Sequence, residues 1–83
     1  MNERIKCAAI RLRNGQVVEG YTHREIVVMI HESNGYRAVE GVFGFLTNGG
    51  RFVGRMRAAS IALAAGQVTE VADPNFGLSS SDL

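Results

Sequence analysis

A chain of 83 residues, 46% hydrophobic and 20% charged, has the length and mix of one small globular domain, not of a disordered or collagen-like polymer. Folding at this size buries only about 60–65% of the surface the unfolded chain exposes, a deficit that small domains offset with disulfides, a metal or a partner subunit. A single cysteine excludes an internal disulfide, and two scattered histidines with it make no zinc framework, which leaves self-association. A formal net charge of +1 falls short of the basic footprint of a dedicated duplex-DNA binder.

The charge is unevenly placed. Arg4, Lys6, Arg11 and Arg13 stand in a segment with no acid, and Glu70, Asp73 and Asp82 stand in a C-terminal segment with no base. The two ends are therefore expected to attract each other, within a chain or between chains. No run approaches the ~18 apolar residues of a membrane span. No apolar leader opens the sequence, and a lone cysteine fits a reducing compartment, so the expected setting is cytoplasmic.

Residues 5–13 alternate in part and read as a strand. Asn14-Gly15 follows, the signal of a type I′ hairpin turn, and residues 16–21 form the returning strand. Thr22 with Glu25 three residues on fits a capping box and opens a helix over 23–32. The β-branched run Ile26-Val27-Val28 argues for a strand, but the cap and the length favour helix. Its broad apolar stripe suits a second contact, such as another subunit.

Ser33-Asn34-Gly35 ends that helix. A strand over 39–47, a turn at Asn48-Gly49-Gly50 and a strand over 51–53 make a second hairpin. An Ala-rich helix runs over 55–65, with Gly66 at the left-handed position past its end. Asp73-Pro74-Asn75 breaks the chain before a tail. The fold class is α+β: a small antiparallel sheet of two β-hairpins covered by two helices, in the order ββαββα. Residues 1–83 form a single domain, with the tail 73–83 docked on it or on a neighbouring subunit.

Chemistry concentrates around the second hairpin. Arg51, Arg55 and Arg57 gather at the start of the second helix, where the partial positive charge disfavours cations by ~0.3–1 kcal/mol each. A bound anion reverses that sign, since helix amides and guanidinium forks both favour phosphate. Phe43, Phe45 and Phe52 lie nearby in sequence, and an aromatic ring beside a guanidinium can hold a base together with its phosphate. The competing reading is three solvated arginines and three core phenylalanines.

Other features carry less. Residues 40–47 match the aromatic RNA-binding strand of RRM domains poorly, with Glu40 where a base belongs and Val42 in excess. The glycines make no P-loop, and Lys6 is the sole lysine. His23 and His31 are not spaced as a helical metal pair and take surface or capping roles. Cys7 reads as a buried small hydrophobe. Neither the glutamates 19, 25, 32 and 40 nor Ser33 and Ser60 assemble an acid–base or triad pattern, so catalysis is not expected.

Taken together, Cys7-Ala8-Ala9-Ile10-Arg11, Gly15, Gly20, His23, Gly44-Phe45-Leu46-Thr47, Gly50-Arg51-Phe52-Val53, Arg55, Ala64-Ala65-Gly66-Gln67, and Leu78 with Ser80, Asp82 and Leu83 resemble a family of small phage proteins, the first family of Thoeris anti-defence proteins. The most specific piece is Gly44-Phe45-x-Thr-x-x-Gly50-Arg51-Phe52-Val53-x-Arg55. The resemblance implies a non-catalytic sponge in the cytoplasm of an infected bacterium. It would sequester cyclic nucleotide immune signals, chiefly cyclic ADP-ribose isomers and in some members cyclic oligonucleotides. It further implies dimers or hexamers with pockets at subunit interfaces. No cofactor and no membrane partner are expected, and the net charge of +1 argues against nucleic acid as a partner. Carried over by position, Phe45, Arg51, Phe52 and Arg55 fall on the ligand-binding motif, and Asn48 is added as a ribose or base contact. Gly54 and Ser81 depart from the family pattern, and the loop over 33–36 looks trimmed. The alternatives are a nucleic-acid-binding accessory protein using residues 4–13, or a phage protein that inhibits a host protein through its tail.

Overall fold

The computed structural model describes residues 3–35 and 40–83. Val39, the expected start of the third strand, and Tyr36, the end of the trimmed loop, lie outside the described residues. The elements run β1 (Ile5–Leu12), β2 (Val17–Gly20), α1 (His23–Asn34), β3 (Gly41–Thr47), β4 (Phe52–Gly54), α2 (Arg55–Ala64) and a 3-10 turn at Ser80–Asp82. The fold is α+β, with one antiparallel sheet in the order β2-β1-β3-β4.

Both hairpins close by the same device. Leu12 N–H donates to Gln16 O and Gly15 N–H to Leu12 O; likewise Thr47 N–H donates to Arg51 O and Gly50 N–H to Thr47 O. Each loop therefore has three residues, with a glycine in the left-handed region at the last position, Gly15 at φ 90° and Gly50 at φ 81°. The expected two-residue turn at Asn14-Gly15 is thus one residue longer, because a single left-handed glycine after a turn matches the strand twist as well as a type I′ pair does.

The cap decides α1. Thr22 stays extended and its side chain accepts from Glu25 N–H, which outweighs the β-branched run behind it. The helix runs two residues past the expected Glu32 and ends at left-handed Gly35. Ile26 is buried, but Val28 and Met29 stay exposed, so the broad stripe is only partly used within one chain. In α2, Ala58, Ala59 and Ala62 face inward, and their small size lets the helix sit close to the sheet. Gly66 N–H donates to Leu63 O and Gln67 N–H to Ala62 O, the paired bonds of a Schellman end. The Gln67 amide then clamps β1, accepting from Ile5 N–H at 2.7 Å and donating to Ile5 O at 2.8 Å.

Cross-strand pairing sorts the sheet into two faces. Ala8, Ile10, Phe43, Phe45 and Val53 share the inner face, with Phe45 opposite both Ala8 and Val53. There they pack with Ile26, the α2 alanines and Leu78 of the tail. The other face presents Cys7, Ala9, Arg11, Val42, Gly44, Leu46, Phe52 and Gly54, and neither helix lies on it.

The tail packs on its own chain. Leu78 is fully buried and its N–H donates to Arg55 O at 3.0 Å. Gly77, at φ 96°, lies so close to the Arg55 backbone that a Cβ would stand 2.7 Å from Arg55 C, so glycine is required there on both counts. Asp82 accepts from Ser79 N–H at 2.9 Å and from Ala72 N–H. The expected attraction between the two charged ends is not found among the described residues: Lys6 and Arg13 pair with Glu19 and Glu40 instead. Those acids sit on the adjoining strand and on the approach to β3.

Candidate functional site

The arginine at the start of α2 is unlike the other cations of the chain. Gly54 caps the helix without a side-chain hydrogen bond, and no acid stands in the first turn. The tail bond from Leu78 N–H fixes the Arg55 backbone. The Arg55 guanidinium carbon lies 4.4 Å from the centroid of Phe76 and 5.4 Å from that of Phe43, within the range of cation–π attraction. Its Nε is buried and has no hydrogen-bond partner, and among the described residues no carboxylate pairs with it. Burial pushes its pKa down, but a guanidinium at this site stays charged.

His23 lies beneath this group. It was expected in a surface or capping role; instead it is 8% exposed. Its ring meets Phe45 edge-on at 5.0 Å and Phe43 at 5.5 Å. Thr22 holds the cap, as expected, and the side chain that follows it turns inward. Nε2 lies 2.7 Å from Gly44 O, so the neutral ring carries its proton on Nε2 and donates it to that carbonyl. Burial is the main cause that lowers the imidazole pKa; the bond to Gly44 opposes it, and the charge of Arg55 adds to it. The backbone N–H of His23 meets Ser80 Oγ of the tail at 3.5 Å. The site is thus one positive charge among aromatic rings, with a neutral histidine under it and no acid.

The residues expected to act together are divided. Of these, Arg55 alone presents its polar group in this cluster, and Phe45 meets it only from the core, through His23. Phe45 is fully buried in the core, so the expectation that it stacks on a ligand is corrected: its β3 position faces the helices. Phe52 points to the opposite face of the sheet, where its ring lies over Gly44 and under the Arg11 guanidinium, 5.0 Å from its centroid. Arg51 projects elsewhere again and forms a two-pronged pair with Glu3, which lowers the Glu3 pKa. Asn48 is engaged with the backbone of Arg4, accepting from its N–H at 3.2 Å and donating its own N–H to Arg4 O. Alternation is the cause: neighbours in a strand point to opposite faces, so Arg51 and Phe52 cannot share a site within one chain.

Two participants were missed as such. Phe76 belongs to the tail over 73–83 that was expected only to dock, and His23 was expected in a surface or capping role. Nothing local marks either, since both are placed by contacts between distant segments. Cys7 is half-buried, and burial raises its thiol pKa, the reverse of what a nucleophile needs. Shallow depressions of the described surface lie away from Arg55, among them one between Arg11, Arg13, Glu40 and Val42. Another, of about 500 Å³, runs from Leu12 to Met29 and Ile30. A third, of about 320 Å³, lies between Lys6, Tyr21 and Glu25.

The sequence profile described as "Phage T4 y16D protein" matches residues 4–83. The chain therefore belongs to that phage protein family. No curated protein and no solved structure matches it.

Proposed function

We propose that this phage protein is a non-catalytic binder that sequesters a cyclic nucleotide signal, as the resemblance to the first family of Thoeris anti-defence proteins implies. The observation that supports this reading is the Arg55 group: a charged guanidinium with a buried, unpartnered Nε, flanked by Phe43 and Phe76. Such a group has unused donors for a phosphate and ring faces for a base. Its helix start lacks an acid to compete for the same donors. Phosphate pairing and ring stacking at a preorganised surface hold a ligand without any bond being made or broken.

The site is a surface patch, so an enclosed pocket requires a second copy of the chain. The exposed Val28 and Met29 of α1 and the open sheet face provide area for one. The alternative use of residues 4–13 for nucleic acid is less well supported, since Lys6 and Arg13 are already paired with acids.

The test is native mass spectrometry of the protein with a panel of cyclic ADP-ribose isomers and cyclic dinucleotides. The expected result is a ligand-bearing oligomer that releases intact ligand on heat denaturation. Release of an altered compound would show an enzyme, and no binding by any member of the panel would refute the reading.

A further inference from the structure

The ring of Phe76 is 47% exposed, although an apolar ring of that size gains by burial. It is not loosely held. Phe76 N–H and Gly77 N–H both donate to Asp73 O, and Asp73 Oδ1 accepts from Asn75 N–H at 3.0 Å. Residues 73 and 77 also bridge as an antiparallel pair. Leu78 then anchors the turn in the core and on Arg55 O. A rigid five-residue turn thus holds an aromatic ring against the guanidinium at 4.4 Å while leaving much of the ring's surface open.

We infer that Phe76 is a ligand-contacting residue, the platform on which the purine ring of a nucleotide stacks, while Arg55 takes the adjoining phosphate. The inference rests on the reading of Arg55 as the phosphate-binding residue of a nucleotide site and adds which residue carries the base: exposed Phe76 of the tail, and not Phe43. Stacking on a preformed ring costs little conformational entropy, because the turn has already fixed the ring. The guanidinium stands over one face of that ring, 4.4 Å from its centroid, so the base stacks on the other face and phosphate and base are read at a set separation. Phe43, deeper and only partly exposed, supports the guanidinium from within.

The experiment is titration calorimetry of the full chain with cyclic ADP-ribose isomers, cyclic dinucleotides and inorganic pyrophosphate, using wild type, Phe76→Ala, Phe76→Tyr and Arg55→Gln. For the nucleotide that binds wild type, Phe76→Ala is expected to lose about 5- to 150-fold in affinity, the worth of one stacked base. Pyrophosphate affinity should stay within about 3-fold. Phe76→Tyr keeps the ring and should bind within about 3-fold of wild type, which separates loss of the platform from loss of the tail fold. Arg55→Gln should weaken nucleotide and pyrophosphate alike. Upfield shifts of the Phe76 ring protons on adding the nucleotide provide a second readout.

Equal nucleotide affinity of Phe76→Ala and wild type overturns the platform and leaves the Arg55 site standing. Unchanged binding in Arg55→Gln overturns the phosphate assignment and with it the inference. Binding of no nucleotide by wild type overturns the function and the platform together.

Discussion

Two arginine–phenylalanine contacts sit on opposite faces of one sheet, and they serve different ends. On the open face, exposed Arg11 covers the Phe52 ring at 5.0 Å, and that ring in turn lies on the Gly44 backbone. On the helix side, half-buried Arg55 lies against Phe76 and Phe43, clasped by the tail and with its Nε unpartnered. The first contact shields backbone and small side chains where no helix does so. The second keeps a charge away from bulk water without giving it a carboxylate. The same pair of residue types is thus surface cover in one place and a recognition element in the other, and what separates them is burial and the lack of a competing acid.

The largest expected effect comes from the layer between the two faces. Phe45→Ala removes a fully buried ring that faces Ala8, Val53 and His23. It should cost about 3–5 kcal/mol, enough to unfold much of the protein in a denaturant titration. Gly44→Ala tests the open face directly. A Cβ there would stand 2.7 Å from Phe52 Cζ and closer still to Val53 O. Because one of those neighbours is backbone, a loss of about 3 kcal/mol is expected. A Gly44→Ala chain melting within about 4 °C of wild type, where 1 kcal/mol is worth about 4–8 °C, would show that the Phe52 cover is loose.

Arg55→Gln against Arg11→Gln sharpens the contrast. Loss of a charge-assisted bond costs about 1.5–3 kcal/mol, so Arg55→Gln should weaken binding of a cyclic nucleotide by about 10- to 150-fold in calorimetry. Arg11→Gln should leave it within about 2-fold. Equal losses in the two variants would place the ligand on both faces and erase the distinction.

What the sequence revealed depends on how local its cause is. The element order, the α1 cap at Thr22, the glycine loops and left-handed Gly66 were legible because each is determined within a few residues. The loop length at Asn14-Gly15 was misjudged by one because a two-residue and a three-residue turn both end in glycine. The candidate site was legible only at Arg55. Arg51, Phe52 and Phe45 belong to one hairpin, and alternation along it sends them to Glu3, the open face and the core. Phe76 and His23 join Arg55 through contacts spanning more than twenty residues, which no periodicity encodes. The charge asymmetry of the ends was real, but among the described residues Lys6 and Arg13 of the basic segment pair with Glu19 and Glu40.

Acid tests the helix side specifically. The His23 pKa lies below its ordinary value of 6.5 in the folded protein, so folding favours the neutral ring. Its contribution to stability is full above pH 6.5 and falls as the pH drops from there toward the lowered folded value. The charged form would place a second cation beside Arg55. Melting temperature should therefore fall between pH 6.5 and 5, and His23→Gln, which keeps an amide donor near Gly44 O, should flatten that slope. An unchanged slope would assign the acid sensitivity of that window to another group, and not to Glu3. Its pKa is lowered by Arg51, so its contribution disappears at lower pH than that of His23.

The smallest effect belongs to the exposed contact. Arg11→Ala removes a guanidinium from a solvated ring, an interaction of about 0.5–1 kcal/mol at such sites, and it uncovers Phe52 on a face where Val17 and Val42 are already exposed. In a single chain the melting temperature should fall by no more than about 4–8 °C. If the open face is covered by a second copy, the outcome is different. Removing the charge would then strengthen an apolar contact, and sedimentation would show a larger assembled fraction with no loss of stability. Arg11 is the one charged side chain in the row of Val42 and Val17, so this substitution distinguishes a face built to stay wet from a face built to pair.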